Sequence, residues 1–134
     1  PWVPQRLGDE RARTGAYVWR DLLETGAVIA SGTDVPVEAV NPIPSFHAAV
    51  TRRLADGTAF YPDQAMTREE ALRARTLDAA FAAFEEDIKG SLEIGKLADV
   101  TILSRDILEV PEEEILDTEV VTTIVGGVVR YRAP

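Results

Sequence analysis

The sequence contains no cysteine and only one histidine, His47. The first absence excludes disulfides and thiolate metal sites within the chain and leaves the redox compartment unconstrained. The second excludes a metal cage of several local histidines: neither H-x-H nor H-E-x-x-H occurs. Basic residues are also scarce, 14 against 23 acidic ones, for a net charge of −9. Such a surface repels nucleic-acid backbones and anionic membranes, so neither is expected as a partner. No apolar run is long enough to span a membrane, and the opening PWVPQRLGDERAR lacks the apolar centre of a signal peptide. A cytoplasmic location is the default expectation.

What is present suits one globular unit. The 134 residues are 46% hydrophobic, enough to bury a core. PWVPQRLG reads like the middle of a loop, so a segment of a longer chain is expected, with residues 1–13 an irregular polar entry. GAYVWRDLLE, 15–24, predicts a helix burying Tyr17, Val18, Trp19 and Leu22, with Gly26 at its end. AVIAS, 27–31, predicts a short strand, apolar on both faces as in a covered parallel sheet. Helix, turn, strand and loop in that order make an α/β unit. Glycine and proline in GTDVPVEAVNPIP rule out a regular helix over 32–44. A helix is expected over 45–54 with Ser45 as N-cap. Thr67 and Glu70 have capping-box spacing. TLDAAFAAF, 76–84, reads as a closely packed helix, its Ala and Phe in the core.

Near residue 90 the texture changes from α/β to mainly β, so two parts are expected, 1–89 and 90–134. VTIL is a strand, and VPEEEIL a short helix with Pro111 in its first turn. EVVTTIVGGVVRYRA reads as two β-runs meeting in a hairpin at Gly126-Gly127. IVGGVV lacks the following helix of a phosphate loop and is read as that turn. The acidic runs Glu85-Glu86-Asp87 and Glu112-Glu113-Glu114 are read as solvated faces.

One residue attracts a chemical reading. Asp34 lies three residues beyond the apolar run, between glycine and proline. Polar groups just past the C-terminal end of a strand line active sites in α/β folds. A carboxylate there can hold a metal, accept a proton, or both. The bland alternative is a turn aspartate that binds backbone N–H groups two residues on. His47, in SFHAAV, reads as a packed or surface helix residue, and Asp99, in LADV, as turn-forming.

Two stretches together resemble a known family. GSLEIGKLADVTIL, 90–103, resembles the segment where metal-dependent amidohydrolases leave their barrel and re-enter a small β-domain. GAVIASGTDVPVEAVNPIPSFHAAVTR, 26–52, resembles the strand-eight region of that superfamily, with Asp34 at the metal-site aspartate. With YPDQAMTREEALRARTLDAAFAAFEED and the closing EEILDTEVVTTIVGGVVRY, the chain is most similar to the YtcJ-like, or amidohydrolase-3, branch. That branch includes exoenzyme-like and formamide-deformylating hydrolases.

The resemblance implies the last helix–strand portion of a (β/α)8 TIM-type barrel, with strand eight at about 27–31. The C-terminal strands of a small composite β-sandwich would follow. It also implies hydrolysis of C–N bonds in small amide-like substrates by water activated on a divalent metal, commonly zinc. The aspartate corresponding to Asp34 faces that metal and carries the proton from water to the leaving amine. Val35, Glu38 and Asn41 follow in the same loop and are candidate pocket residues. The family's histidine ligands and N-terminal β-domain strands have no counterpart here. A zinc site takes about three protein ligands, so the chain alone is expected to hold no metal tightly and to be inactive. A lone strand at 27–31 leaves both edges unpaired, which predicts self-association or exposed apolar surface. The alternative reading is a non-catalytic α/β module, derived from such an enzyme and used for binding or assembly.

Overall fold

The computed structural model describes residues 2–134. Six short helices come first: α1 (Val3–Leu7), α2 (Asp9–Gly15), α3 (Trp19–Glu24), α4 (Ile43–Thr51), α5 (Arg68–Arg75) and α6 (Leu77–Ala82). Three strands follow: β1 (Val100–Leu103), β2 (Val120–Val125) and β3 (Val128–Arg132). Single 3-10 turns at Pro62–Gln64 and Glu112–Asp117 complete the regular structure. The result is a mixed α/β molecule whose sheet is small and antiparallel, in the order β1-β2-β3.

The core forms where α4 and α5 meet. Ile43, Phe46 and Ala49 recur at helical spacing on one face of α4 and are buried with Met66, Ala71, Ile107 and Ile115. Trp19, Leu23, Ile29 and Leu72 pack around this cluster. Ile115, fully buried, comes from the 3-10 turn that lies against α4. That turn is the short helix expected at VPEEEIL, with Pro111 at its N-cap and not within its first turn.

α5 starts at the expected capping box. The Glu70 N–H donates to Thr67 Oγ1 at 3.2 Å, and the Thr67 N–H donates to Glu70 Oε2 at 2.7 Å. The hairpin also falls where expected. Gly126 and Gly127 both take positive φ, 58° and 77°, as a two-residue turn matched to strand twist requires. Asp99 fastens this turn: its Oδ1 accepts from the Gly126 N–H at 2.7 Å, while Ala98 O accepts from the Gly127 N–H at 3.0 Å.

Elsewhere the structure departs from the sequence reading. Residues 3–15 form two helices and not an irregular entry. The helix expected over 15–24 is shorter, because Tyr17 adopts a left-handed φ of 56° and interrupts the chain. α3 then has six residues, too few for the expected stripe: Tyr17 is exposed, and Trp19 and Leu23 reach the core. α4 begins two residues before Ser45. Asn41 Oδ1 accepts from the Ile43 N–H at 3.0 Å and starts the helix, whereas Ser45 Oγ donates to the Pro42 carbonyl. α6 stops at Ala82, so Ala80 is buried but Phe81 is half exposed and Phe84, at φ 58°, is 93% exposed.

Residues 27–31 differ most. They pair with no strand among the described residues, and Val28 is 51% exposed. A strand exists only through a neighbour's hydrogen bonds. Here the segment is held only at its ends and by helices, the Ala27 N–H donating to Leu22 O in α3 at 3.3 Å and the Ser31 N–H to Ala74 O in α5 at 2.9 Å.

Candidate functional site

The loop after this segment carries Asp34. Its first turn runs Asp34–Val37, closed by the Val37 N–H donating to Asp34 O at 2.8 Å, with a cis peptide at Val35–Pro36. Asp34 sits at φ 54° in the left-handed region, which aspartate tolerates better than branched or bulky residues. Its side chain is exposed and makes no hydrogen bond among the described residues.

The other loop carboxylates behave differently. Asp56 Oδ1 accepts from the Thr58 N–H at 2.9 Å, and Asp106 Oδ1 accepts from the Leu108 N–H at 2.9 Å. Both bind the backbone two residues on, the arrangement proposed above as the bland role for Asp34. Thr58 accordingly holds the Asp56 carboxyl below its ordinary range. Asp99 likewise serves a turn, that of the β2–β3 hairpin. Asp34 alone among these four leaves both oxygens uncommitted.

The remaining loop residues are exposed as well. Val35 and Glu38 face solvent, and Asn41 spends its acceptor on the start of α4. His47 is half-buried on α4, where burial lowers its pKa against the opposing pull of Glu112. No group of three His, Asp or Glu side chains able to hold a metal converges among the described residues. The donor set at Asp34, one carboxylate, therefore does not by itself fit a metal ion.

Two clefts lie apart from Asp34. One, of about 230 Å³, is lined by Leu23, Ala27, Ile29, Glu70, Arg73 and Asp78. Its charged members are already paired: Arg73 meets Asp78 at 2.9 Å, and Glu70 meets Arg20. The other, of about 720 Å³, separates α4–α6 from the sheet. The sequence reading singled out neither the cleft nor Arg75, the cleft's one cation unpaired among the described residues. It also passed over Arg52, which closes α4 in a left-handed conformation. The Arg52 guanidinium stacks 4.3 Å from the Trp19 ring and its Nε donates to Phe60 O at 3.0 Å.

Comparison with known proteins decides the family. The amidohydrolase family model matches residues 1–131. The chain belongs to the amidohydrolase family. This is the family that the motifs around Asp34 and Asp99 resemble. Among its relatives is the YtcJ protein of Bacillus subtilis, 30% identical over 98% of this chain and 25% of the relative. Protein LONG AFTER FAR-RED 3 of Arabidopsis thaliana is 38% identical over 93% of this chain and 21% of that protein. The N-substituted formamide deformylase of Arthrobacter pascens is 32% identical, over 92% and 23% respectively. This amidohydrolase chain thus spans about a quarter of the length of these relatives.

Two solved structures share the fold. An uncharacterized metal-dependent hydrolase from Pyrococcus horikoshii superposes with a TM-score of 0.72 at 34% identity, over 84% of this chain and 23% of that one. An amidohydrolase from Thermotoga maritima superposes at 0.66 and 23% identity, over 87% and 26% respectively, a likeness of fold.

Proposed function

We propose that this chain is the C-terminal portion of a metal-dependent hydrolase that cleaves C–N bonds in small amide-like molecules, with Asp34 as its proton shuttle. In this reading residues 1–89 belong to the end of a (β/α)8 barrel, with strand eight at 27–31. Residues 90–134 supply C-terminal strands of a small β-domain. The observation that carries the reading is the uncommitted Asp34 carboxylate, held in a left-handed turn while Asp56, Asp99 and Asp106 bind backbone N–H groups. Relatives whose names include a formamide deformylase and a metal-dependent hydrolase support the substrate class and the need for a metal.

The chemistry asks one thing of Asp34 twice. As water attacks the carbonyl carbon, an ionised carboxylate accepts the proton that water gives up. When the tetrahedral species collapses and the C–N bond breaks, the same group returns that proton to the departing nitrogen. The products are a carboxylic acid and an amine. A bound divalent metal, zinc in this proposal, supplies a water of lowered pKa. Its remaining ligands lie in segments other than these 134 residues, since one carboxylate does not fit a zinc site. Val35 and Glu38 then border the substrate at the strand end, and Asn41 fixes the loop to α4.

Asp34→Asn in the complete enzyme tests the proposal. It keeps the shape and removes the base, so kcat for amide hydrolysis is expected to fall by roughly 100- to 10,000-fold. An unchanged kcat would reject Asp34 as the shuttle. The 134-residue chain alone is expected to retain no zinc after dialysis and to hydrolyse no amide.

A further inference from the structure

The larger cleft, of about 720 Å³, has the size of a small-molecule site. One wall is helical, with Ile43, Phe46 and Ala79; the other is the sheet edge, with Val100, Leu103 and Val120. Both walls are apolar; the end of the Asp34 loop, Pro42 and Ile43, borders the cleft, and Asp34 itself does not line it. Its charged groups are Arg75, Lys89 and Asp99.

Two of these three are engaged. Lys89 forms an ion pair with Glu85, and the Asp99 carboxylate accepts from the Gly126 N–H. Arg75 is different. It is half-buried, and its guanidinium makes no hydrogen bond or ion pair among the described residues; Nε is fully shielded, so Nη1 and Nη2 are the donors left to a ligand. Four arginines of the helical part each have a partner: Arg20 with Glu70, Arg73 with Asp78, Arg68 with the Ile107 carbonyl and Arg52 with the Phe60 carbonyl, although Arg52 Nη2 is itself shielded without one. Burial lowers the Arg75 pKa, and no neighbouring carboxylate offsets this.

We propose that this cleft binds a small molecule combining one carboxylate with an aliphatic body, the carboxylate on the Arg75 guanidinium and the body between α6 and β1. A guanidinium presents parallel N–H donors that match a planar carboxylate in two hydrogen bonds. An apolar channel beside it takes the hydrocarbon. A phosphate dianion is disfavoured, because only one cation unpaired among the described residues faces it, in a chain of net charge −9.

Titration of the complete enzyme with octanoate and with octan-1-ol, followed by amide NMR shifts and calorimetry, tests this. Octanoate is expected to bind about 10-fold or more tightly than the alcohol, the gain of a charge-assisted hydrogen bond. Its shifts should centre on Arg75, Ala79, Leu92 and Thr101. Arg75→Met, checked for an unchanged melting curve, should bring the two ligands to equal affinity. Arg75→Lys keeps the charge without the fork and should retain only part of the preference; it serves if the methionine variant does not fold. Octyl phosphate should bind more weakly than octanoate. Equal binding of octanoate and octan-1-ol to the unaltered enzyme, shifts that centre elsewhere, or a preference that survives Arg75→Met would overturn the proposal. So would tighter binding by a blocked tetrapeptide with one glutamate among leucines, which would assign the cleft to a protein segment.

Discussion

Glu70 shows how much one side chain can hold together. Its carboxylate accepts from Arg20 Nη1 at 2.8 Å and Nη2 at 2.5 Å, and from the Thr67 N–H at 2.7 Å. Arg20 also donates to the Ala65 carbonyl, so α3 is tied to the start of α5. The Arg20 hydrogen bonds, with the Thr67 N–H adding to them, hold the Glu70 carboxyl at about 2, well below its ordinary 4.5. The folded pKa is depressed. Its stabilisation is therefore full above the unfolded value and is lost as pH falls from there toward about 2. With both side chains about a quarter to a third exposed, screening leaves a contribution of roughly 1–3 kcal/mol. Urea unfolding between about pH 6 and about pH 3 should show the native chain losing more stability than Glu70→Gln, the gap between the two curves narrowing toward the acid end. Equal acid sensitivity would remove Glu70 from this role. The T-x-x-E spacing made the Thr67–Glu70 half of this legible in the sequence, because a capping box is local. Arg20 lies 50 residues away and nothing in the local pattern announces it. The same holds at the candidate site: Asp34 stood out by its place behind an apolar run, while Arg75 and Arg52 acquire meaning only from what packs around them.

At the scale of elements, local signals succeeded where one short motif sets the backbone. VTIL, the glycine pair and the capping box fall where the pattern put them. Boundaries shifted wherever a single residue left the helical region, as at Tyr17 and Phe84, since periodicity carries no information about φ. The strand expected at 27–31 is the reverse case. Its composition suits a covered strand, but pairing depends on neighbours that these residues do not meet. Two substitutions probe the elements that did form. Thr67→Ala removes the side-chain acceptor for the Glu70 N–H and should lower stability by about 1 kcal/mol, read from the urea midpoint. Gly90→Ala should cost more, about 2–3 kcal/mol. Gly90 has φ 91°, and an added Cβ would sit 2.8 Å from Ala80 Cβ and 2.9 Å from Leu77 Cα. The turn after α6 lies directly on that helix, and only glycine leaves room. A melting temperature unchanged by Gly90→Ala would show that the turn can move away.

For the whole molecule, the balance of covered and uncovered apolar surface decides behaviour in solution. One well-buried cluster sits between α4 and α5, yet two stretches remain open. Val28, Val35, Val37 and Val40 are each at least half exposed around the Asp34 loop. Phe84, Leu92 and Ile94 are exposed along the connection from α6 toward the sheet. Single exposed apolar residues are ordinary, but runs of this kind mark surfaces that pack against something. Unpaired backbone at 27–31 adds hydrogen-bonding capacity to the first stretch. The net charge of −9 acts against association, and it is screened by salt. The isolated chain should therefore self-associate in sedimentation or bind an apolar-surface dye, and association should strengthen as salt rises. Val37→Ser with Val40→Ser, both on the Asp34 side, should weaken it if that face is the contact. Phe84→Ser with Ile94→Ser should do so if the other is. A monodisperse monomer with no dye signal at low and high salt would show that these apolar runs need no partner.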